Sequence, residues 1–210
     1  QSATPSEPLA HVEGRLRRRG HHAFPHFELL AVDRRLRLTL IAWMFMGFGN
    51  LMLLPLRVEY LARPSYGIAA TAATITLLTV TVPSVVRLAC IPLFGRLFDR
   101  MTFFSARILV NLLFAAYVVA FFTGTSWIAL AAGAVVFGIA TAGGDLLWAL
   151  WVTKFAPAGR VADYMGLHTF FTGVRAVVAP LVAFAVVERL SLGWIAVLAA
   201  GLMVVSSAML

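Results

Sequence analysis

The sequence predicts an all-α integral membrane protein with six transmembrane helices, and three observations predict it. First, 61% of the 210 residues are hydrophobic and only 12% are charged, whereas soluble globular chains carry about 25% charged residues. Second, six apolar segments have about the 20 residues that a bilayer-spanning helix needs. Third, most basic residues lie outside those segments. This composition argues against a soluble enzyme, a nucleic-acid-binding domain and a disordered protein.

The predicted spans are divided by short segments rich in turn residues and charges, at residues 63–67, 95–100, 124–126, 156–159 and 188–191. The long uncharged stretch in the middle of the chain exceeds one helix, so the Gly-Thr-Ser turn at 124–126 is needed to fold it into two. Residues 1–35 form a polar, basic lead-in, and residues 36–210 form the transmembrane domain. The six spans are predicted over residues 38–57, 67–95, 103–123, 127–153, 165–188 and 192–210.

The distribution of positive charge predicts the orientation in the membrane. If the lead-in is cytoplasmic, twelve of the 17 basic residues lie on that side and three on the other. Cytoplasmic loops carry such an excess of Lys and Arg, so both termini are predicted to be cytoplasmic, in the inner membrane of a bacterium. The net charge of +8 therefore reflects membrane topology, and no nucleic-acid partner is expected.

An internal repeat relates the first and fourth spans. The first contains Gly49-Asn50 and the fourth Gly144-Asp145, and each continues through a proline to a Tyr and a Gly. Because the two spans run in opposite directions, they predict a three-plus-three repeat of inverted topology, as many transporters have. Chance similarity within an apolar sequence of low diversity is the alternative.

Three ionisable residues lie inside the predicted spans: Arg87, Asp145 and Arg175. Each costs ~2.5–3.5 kcal/mol to insert unless it has a partner or a water-filled cavity. All three lie ~10–15 Å from the cytoplasmic surface, which predicts that Asp145 is the counter-ion of one or both arginines. Two interpretations stay open, an ion pair that only holds helices together and a carboxylate that contacts substrate or carries a proton. Asn50 is a weaker candidate, since polar residues in spans often join helices.

No pattern in the sequence predicts an enzyme. A Gly-rich loop ending in Gly-Lys-Ser/Thr, a Gly-x-Ser-x-Gly and a His-Glu-x-x-His are all missing from the 210 residues, so no catalytic residue and no cofactor is expected. His21, His22 and His26 lack a neighbouring Cys or carboxylate cluster, and a solvated basic segment is predicted there in place of a metal site. Trp148, Trp151 and Tyr164 are predicted to be interfacial anchors.

The turn between the second and third spans reads Phe94-Gly95-Arg96-Leu97-Phe98-Asp99-Arg100-Met101. It resembles the Gly-x-Leu-x-Asp-Arg signature that major facilitator superfamily transporters carry at this turn in each six-helix half. Residues 164–180 also resemble the second-to-last helix of these transporters. Six spans behind a polar, basic lead-in are similar to the C-terminal half, with residues 1–35 as the loop that joins the halves.

The resemblance implies a function and a pathway. It implies a secondary active transporter that moves a small organic solute by alternating access, coupled to an ion. In this family the first and fourth helices of a half line the central cavity, which makes Asn50 and Asp145 pathway residues. Asp145 is then the coupling or substrate-binding carboxylate, and Arg87 or Arg175 tunes its charge state.

The signature also implies a latch on the cytoplasmic side. Gly95 is expected to let the turn pass close to a neighbouring helix, and Asp99 to cap the third span or to face a positive helix N-terminus. Arg100 is expected to pair with Asp163 at the start of the fifth span. Contacts of this kind close one side in one state and open it in the other.

A six-helix half forms only one side of a transport cavity. Besides the lipid bilayer and a small solute, the expected partners are therefore an N-terminal six-helix half, a second copy of the chain or other membrane subunits. The alternative function is a non-transporting membrane subunit or assembly factor on the same scaffold, because the superfamily resemblance extends to light-harvesting assembly proteins.

Overall fold

The computed structural model describes residues 26–157 and 159–210, and over these residues the chain forms helices and no strands. Residues 1–25 of the predicted lead-in, with His21 and His22, lie outside the described residues. The helices are α1 (Glu28–Val32), α2 (Arg34–Ala62), α3 (Ala72–Arg100), α4 (Phe103–Phe122), α5 (Trp127–Phe155), α6 (Val161–Val187) and α7 (Leu192–Ala208).

Each predicted span overlaps one of the helices α2 to α7, but the separator predicted at residues 95–100 is helical and belongs to α3. The five helices α2 to α6 are long and apolar enough to cross a membrane, which supports a membrane-embedded protein. The remaining helix, α7, is equally apolar but has only 17 residues. The largest difference from the predicted bounds is at α3, which begins at Ala72 because a 3-10 turn over Pro64–Tyr66 comes first and ends at Gly67 in the left-handed conformation (φ 78°).

A wide π-helical turn, Leu77–Thr81, interrupts α3 just before Pro83. Proline has no backbone N–H to donate within a helix, and such wide turns often mark functional positions. Beyond it, α3 continues as a regular helix that carries Arg87 about one turn further on.

The helices pack side by side in the order α3, α5, α4, α7, α2, α6. The two end helices, α3 and α6, bury only 17% of their most apolar stretch, against 44–50% in α2, α4 and α5. The core therefore lies among the four inner helices, where the largest buried side chains include Tyr117, Phe121 and Trp151.

The same pairs of helices are in extensive contact if α2, α3 and α4 are relabelled as α5, α6 and α7 and the reverse. The first helix of each triplet packs on the second and third helices of the other, α2 on α6 and α7, and α5 on α3 and α4, while α4 packs on α7. The first helices are antiparallel, since Trp43 lies beside Trp151 and Arg57 lies over Phe137.

Candidate functional site

Arg87 and Asp145 form an ion pair between α3 and α5. The Arg87 Nε lies 2.9 Å from the Asp145 Oδ2, and the side chains are 49% and 56% exposed. Of the two arginines predicted as counter-ions of Asp145, Arg87 therefore pairs with it. Ile91, one turn beyond Arg87 on the same side of α3, is also exposed, so the pair of charges has an exposed apolar neighbour.

The close approach of α3 to α5 depends on Gly138, which lies two turns before Asp145. A Cβ at this position would be 2.7 Å from the carbonyl oxygen of Pro83 and 2.7 Å from the Cβ of Val86, so only glycine fits without a shift of the helices. The contact sets the distance between the helices just before Arg87 and Asp145. Small residues at helix contacts in membranes allow such close backbone packing.

Arg175, the other predicted counter-ion of Asp145, instead contacts α2. Its Nη1 donates to the carbonyl oxygen of Trp43 on α2, and the residue is buried. Its guanidinium occupies the space beside Gly47, where a Cβ would lie 2.2–2.5 Å from three guanidinium atoms. Arg175 therefore belongs to the contact between α6 and α2 and does not pair with Asp145.

The Arg175 contact is part of a buried cluster around Trp43. The Cζ of Arg107 lies 3.6 Å from the centre of the Trp43 ring, and the His168 ring lies 4.6 Å from it. The Nε1 of Trp151 donates to the Nδ1 of His168 at 2.8 Å. Trp151 is fully buried, so the prediction that it anchors the membrane interface was wrong.

Sequence reasoning missed Arg107 because it placed this residue among the charges that flank the membrane. The structure places it one turn inside α4, fully buried. Asn111, four residues later and on the same helix face, donates to Ser206 at 3.1 Å, and Ser206 donates to the carbonyl oxygen of Ala42 at 2.6 Å. The spacing of Arg107 and Asn111 was the available signal for a polar stripe that faces α2 and α7.

Asn50 is half-buried on α2, and its Oδ1 has no hydrogen-bond partner among the described residues. Within that part of the chain, it forms no hydrogen bond with Arg87 or Asp145. Its role as a pathway residue therefore stays a prediction from the resemblance.

Three contacts expected of the latch residues are not formed among the described residues, while the position of Asp99 opposite a helix N-terminus stays a prediction. A Cβ on Gly95 would meet no atom within 4 Å, so this glycine does not mediate a close approach. Thr102, and not Asp99, caps α4 by accepting from the Ser105 N–H at 3.2 Å. No salt bridge joins Arg100 to Asp163 in the described chain.

Among the described residues, the nearest cation to Asp163 is Arg160, one turn before it. The Arg160 Nε lies 3.2 Å from the Asp163 Oδ2, and the His26 Nε2 lies 3.8 Å from the Oδ1. The carboxylate thus ties the start of α6 to the segment that precedes α1. Phe27 adds an edge-on contact with Phe170, 5.2 Å between ring centres.

Two other contacts close the end of the bundle at which α2 begins. The Nζ of Lys154, in the last turn of α5, donates to the carbonyl oxygens of Phe98 and Met101 at the end of α3. A cation is favourable at these unsatisfied carbonyls, because they carry the negative end of the helix dipole. On the other flank, the Tyr164 hydroxyl donates to the Asp33 Oδ2 at 2.6 Å.

No group of three or more His, Cys, Asp or Glu side chains in residues 26–157 and 159–210 could hold a metal ion. No protein-family model matches the chain. A comparison with curated proteins also finds no match.

Proposed function

We propose that this chain is the C-terminal half of a secondary transporter of the major facilitator type, which moves a small organic solute across a bacterial inner membrane. The Arg87–Asp145 ion pair carries the proposal. Both side chains are about half exposed, and Arg87 lies in the apolar helix α3, where a charged side chain that faces lipid tails costs ~2.5–3.5 kcal/mol. This face is therefore turned to a water-filled cavity or to another protein, and in a transporter it faces the cavity between two halves.

The helix packing supports the inverted repeat of such a half. Exchange of the two triplets leaves the packing pattern unchanged, and their first helices are antiparallel. The repeat positions behave alike, since a Cβ on Gly49 would contact Ala199 of α7 and a Cβ on Gly144 would contact Phe114 of α4. In this arrangement α7 is the sixth span, and its 17 residues reach ~26 Å, near the lower limit for a bilayer.

The ion pair suggests how binding is coupled to movement. A proton on Asp145 neutralises the carboxylate, and a cationic solute competes with Arg87 for it. In either case the Arg87 guanidinium becomes free to bind an anionic group. The pair joins α3, the outermost helix in the packing order, to α5, an inner helix. When the pair breaks, α3 loses one of its contacts with the rest of the bundle. A ligand that binds one arrangement better shifts the equilibrium between the two, as alternating access requires.

Uptake by proteoliposomes tests the proposal. The complete native polypeptide is reconstituted and offered labelled amino acids, sugars, organic acids and organic cations. We expect uptake of one class, its loss in Asp145→Asn, and its retention in the matched control Asp163→Asn, whose carboxylate lies at the start of α6. Equal uptake by Asp145→Asn and the wild type would exclude the assigned role.

The second candidate function is a non-transporting membrane subunit or assembly factor. The half-exposed Arg87–Asp145 pair also fits this function, because a neighbouring protein shields charges from lipid tails as a water-filled cavity does. In that case another protein covers the Arg87–Asp145 face, and the reconstituted polypeptide takes up none of the four solute classes although it is folded.

A further inference from the structure

Two arginines and a histidine from α4 and α6 meet at Trp43 of α2, apart from the Arg87–Asp145 pair. Arg107 and His168 are each 1% exposed, and Arg175 is 7% exposed. The Arg107 guanidinium stacks on the Trp43 ring at 3.6 Å, the His168 ring lies 4.6 Å from it, and Arg175 donates to the Trp43 carbonyl oxygen. Two buried cations thus touch the same residue.

The cluster holds hydrogen-bond donors that have no acceptor. Arg107 Nε and Nη2, Arg175 Nε and Trp43 Nε1 are buried and unpaired among the described residues. The His168 Nδ1 accepts from Trp151, so the neutral ring carries its proton on Nε2, which is also buried without a partner. Every unpaired nitrogen in the cluster is therefore a donor, and a buried donor without an acceptor costs about 1–3 kcal/mol.

The cluster also has no negative charge within the described part of the chain. Neither Arg107 nor Arg175 forms a salt bridge there, and arginine stays charged in proteins. A buried charge without a counter-ion is strongly destabilising. Several acidic side chains are engaged elsewhere: Asp33 with Tyr164, Glu59 with Arg63, Asp145 with Arg87, and Asp163 with Arg160.

We propose that the Trp43 cluster binds a small inorganic anion, with chloride as its representative. One anion supplies the missing negative charge and accepts from donors on α2, α4 and α6, so it joins three helices. The low exposure of Arg107 and His168 excludes a phosphate that is attached to a lipid, because its acyl chains cannot follow it into the bundle. The site goes beyond the proposed transport function and does not depend on it.

Thermal unfolding of the purified complete polypeptide tests the site. The protein is exchanged into sodium gluconate, and chloride is then titrated in at constant ionic strength. A ligand that binds only the folded state raises the unfolding temperature, by roughly 5–10 °C when its concentration is 100-fold its Kd. We expect a saturable rise with chloride, and identical unfolding temperatures in chloride and gluconate would overturn the proposal.

A matched pair of variants separates the site from a general effect of salt. Arg57 is a matched control because it is also buried, its Nε and Nη1 are unpaired among the described residues, and its guanidinium lies 4.1 Å from the centre of the Phe137 ring. Unlike Arg107, it has no second arginine on the aromatic residue that it contacts, within the described part of the chain. We expect Arg107→Gln to lose the chloride dependence and Arg57→Gln to keep it. If Arg107→Gln keeps the dependence, or if both variants lose it, chloride acts elsewhere and the proposal is wrong.

A direct measurement on the wild type covers the case in which Arg107→Gln does not fold. Equilibrium binding of radioactive chloride is measured in gluconate, with excess unlabelled chloride as the control. About one displaceable chloride per chain supports the site, and no displaceable binding contradicts it. Because this readout involves no transport, it separates failure of the anion site from failure of the transporter proposal.

Discussion

The Tyr164 hydroxyl at the start of α6 donates to the Asp33 Oδ2 at 2.6 Å, while the Oδ1 of the same carboxylate accepts from the Leu36 N–H at 3.0 Å and caps α2. One side chain therefore caps the first long helix, α2, and also holds α6 against it. Asp33 thus makes both a capping contact and a tertiary contact. A substitution of Tyr164 removes only the tertiary contact, whereas a substitution of Asp33 removes both.

Removal of the Tyr164 hydroxyl is expected to destabilise the protein. Tyr164→Phe loses a hydrogen bond to a charged group, about 1.5–3 kcal/mol. Asp33→Ala also loses the helix cap, which lowers the free energy of unfolding by about 0.5–2 kcal/mol more. It is therefore expected to be the more severe change. Denaturant unfolding followed by circular dichroism measures both.

Tyr117→Phe is the control for this pair. Tyr117 is fully buried, and its hydroxyl has no partner in the described chain, so loss of that oxygen is expected to be neutral or stabilising. If Tyr164→Phe is as mild as Tyr117→Phe, the contact with Asp33 does not contribute to stability.

The Arg87–Asp145 pair is expected to matter more for function than for folding. Both side chains are about half exposed, and exposed ion pairs contribute about 0–1 kcal/mol. A double-mutant cycle with Arg87→Gln and Asp145→Asn should therefore give a coupling energy below about 1 kcal/mol. A coupling of several kcal/mol would favour the other interpretation that the sequence left open, an ion pair that holds helices together.

The sequence predicted the helices well because their signals are local. Apolar length, the Pro64 and Gly67 turn and the Gly-Thr-Ser segment at 124–126 all act within a few residues, and each of α2 to α7 overlaps a predicted span. The helix that is shifted along the chain is α3, which begins five residues later and ends five residues later than predicted. The counter-ion of Asp145 was also predictable in part, since few charges lie at that depth of an apolar bundle.

The contacts that were missed join helices that are distant in the sequence. Arg107 and Trp151 both lie near helix ends, where charge and aromatic patterns suggest a membrane interface, but α2 and α6 cover them. Which neighbour covers a residue depends on helix order, which a single sequence does not encode in any local pattern. Asp163 is a simpler case, because Arg160, three residues before it on the chain, was a closer candidate than Arg100.

Gly138→Ala is expected to separate α3 from α5. The added Cβ would lie 2.7 Å from the Pro83 carbonyl oxygen, and backbone cannot move aside as a flexible side chain can. Overpacking of this kind typically costs about 1–3 kcal/mol, and the wider gap should also weaken the Arg87–Asp145 pair. Unfolding and uptake measurements are compared with Gly166→Ala, where a Cβ meets no atom within 4 Å. Equal behaviour of the two variants would show that α3 does not need the glycine.

Lys154 is expected to hold the end of α3, which the sequence assigned to Arg100 and Asp163. Lys154→Met removes the donor to the carbonyl oxygens of Phe98 and Met101, and loss of a charged hydrogen bond should make local opening roughly tenfold more frequent. Maleimide labelling of Met101→Cys in a Cys90→Ser background measures this opening. Asp163→Ala should leave the labelling rate unchanged, because the partners of Asp163 are Arg160 and His26. Faster labelling in Asp163→Ala alone would instead restore the contact that the signature predicts, and would mean that Lys154 does not fasten α3.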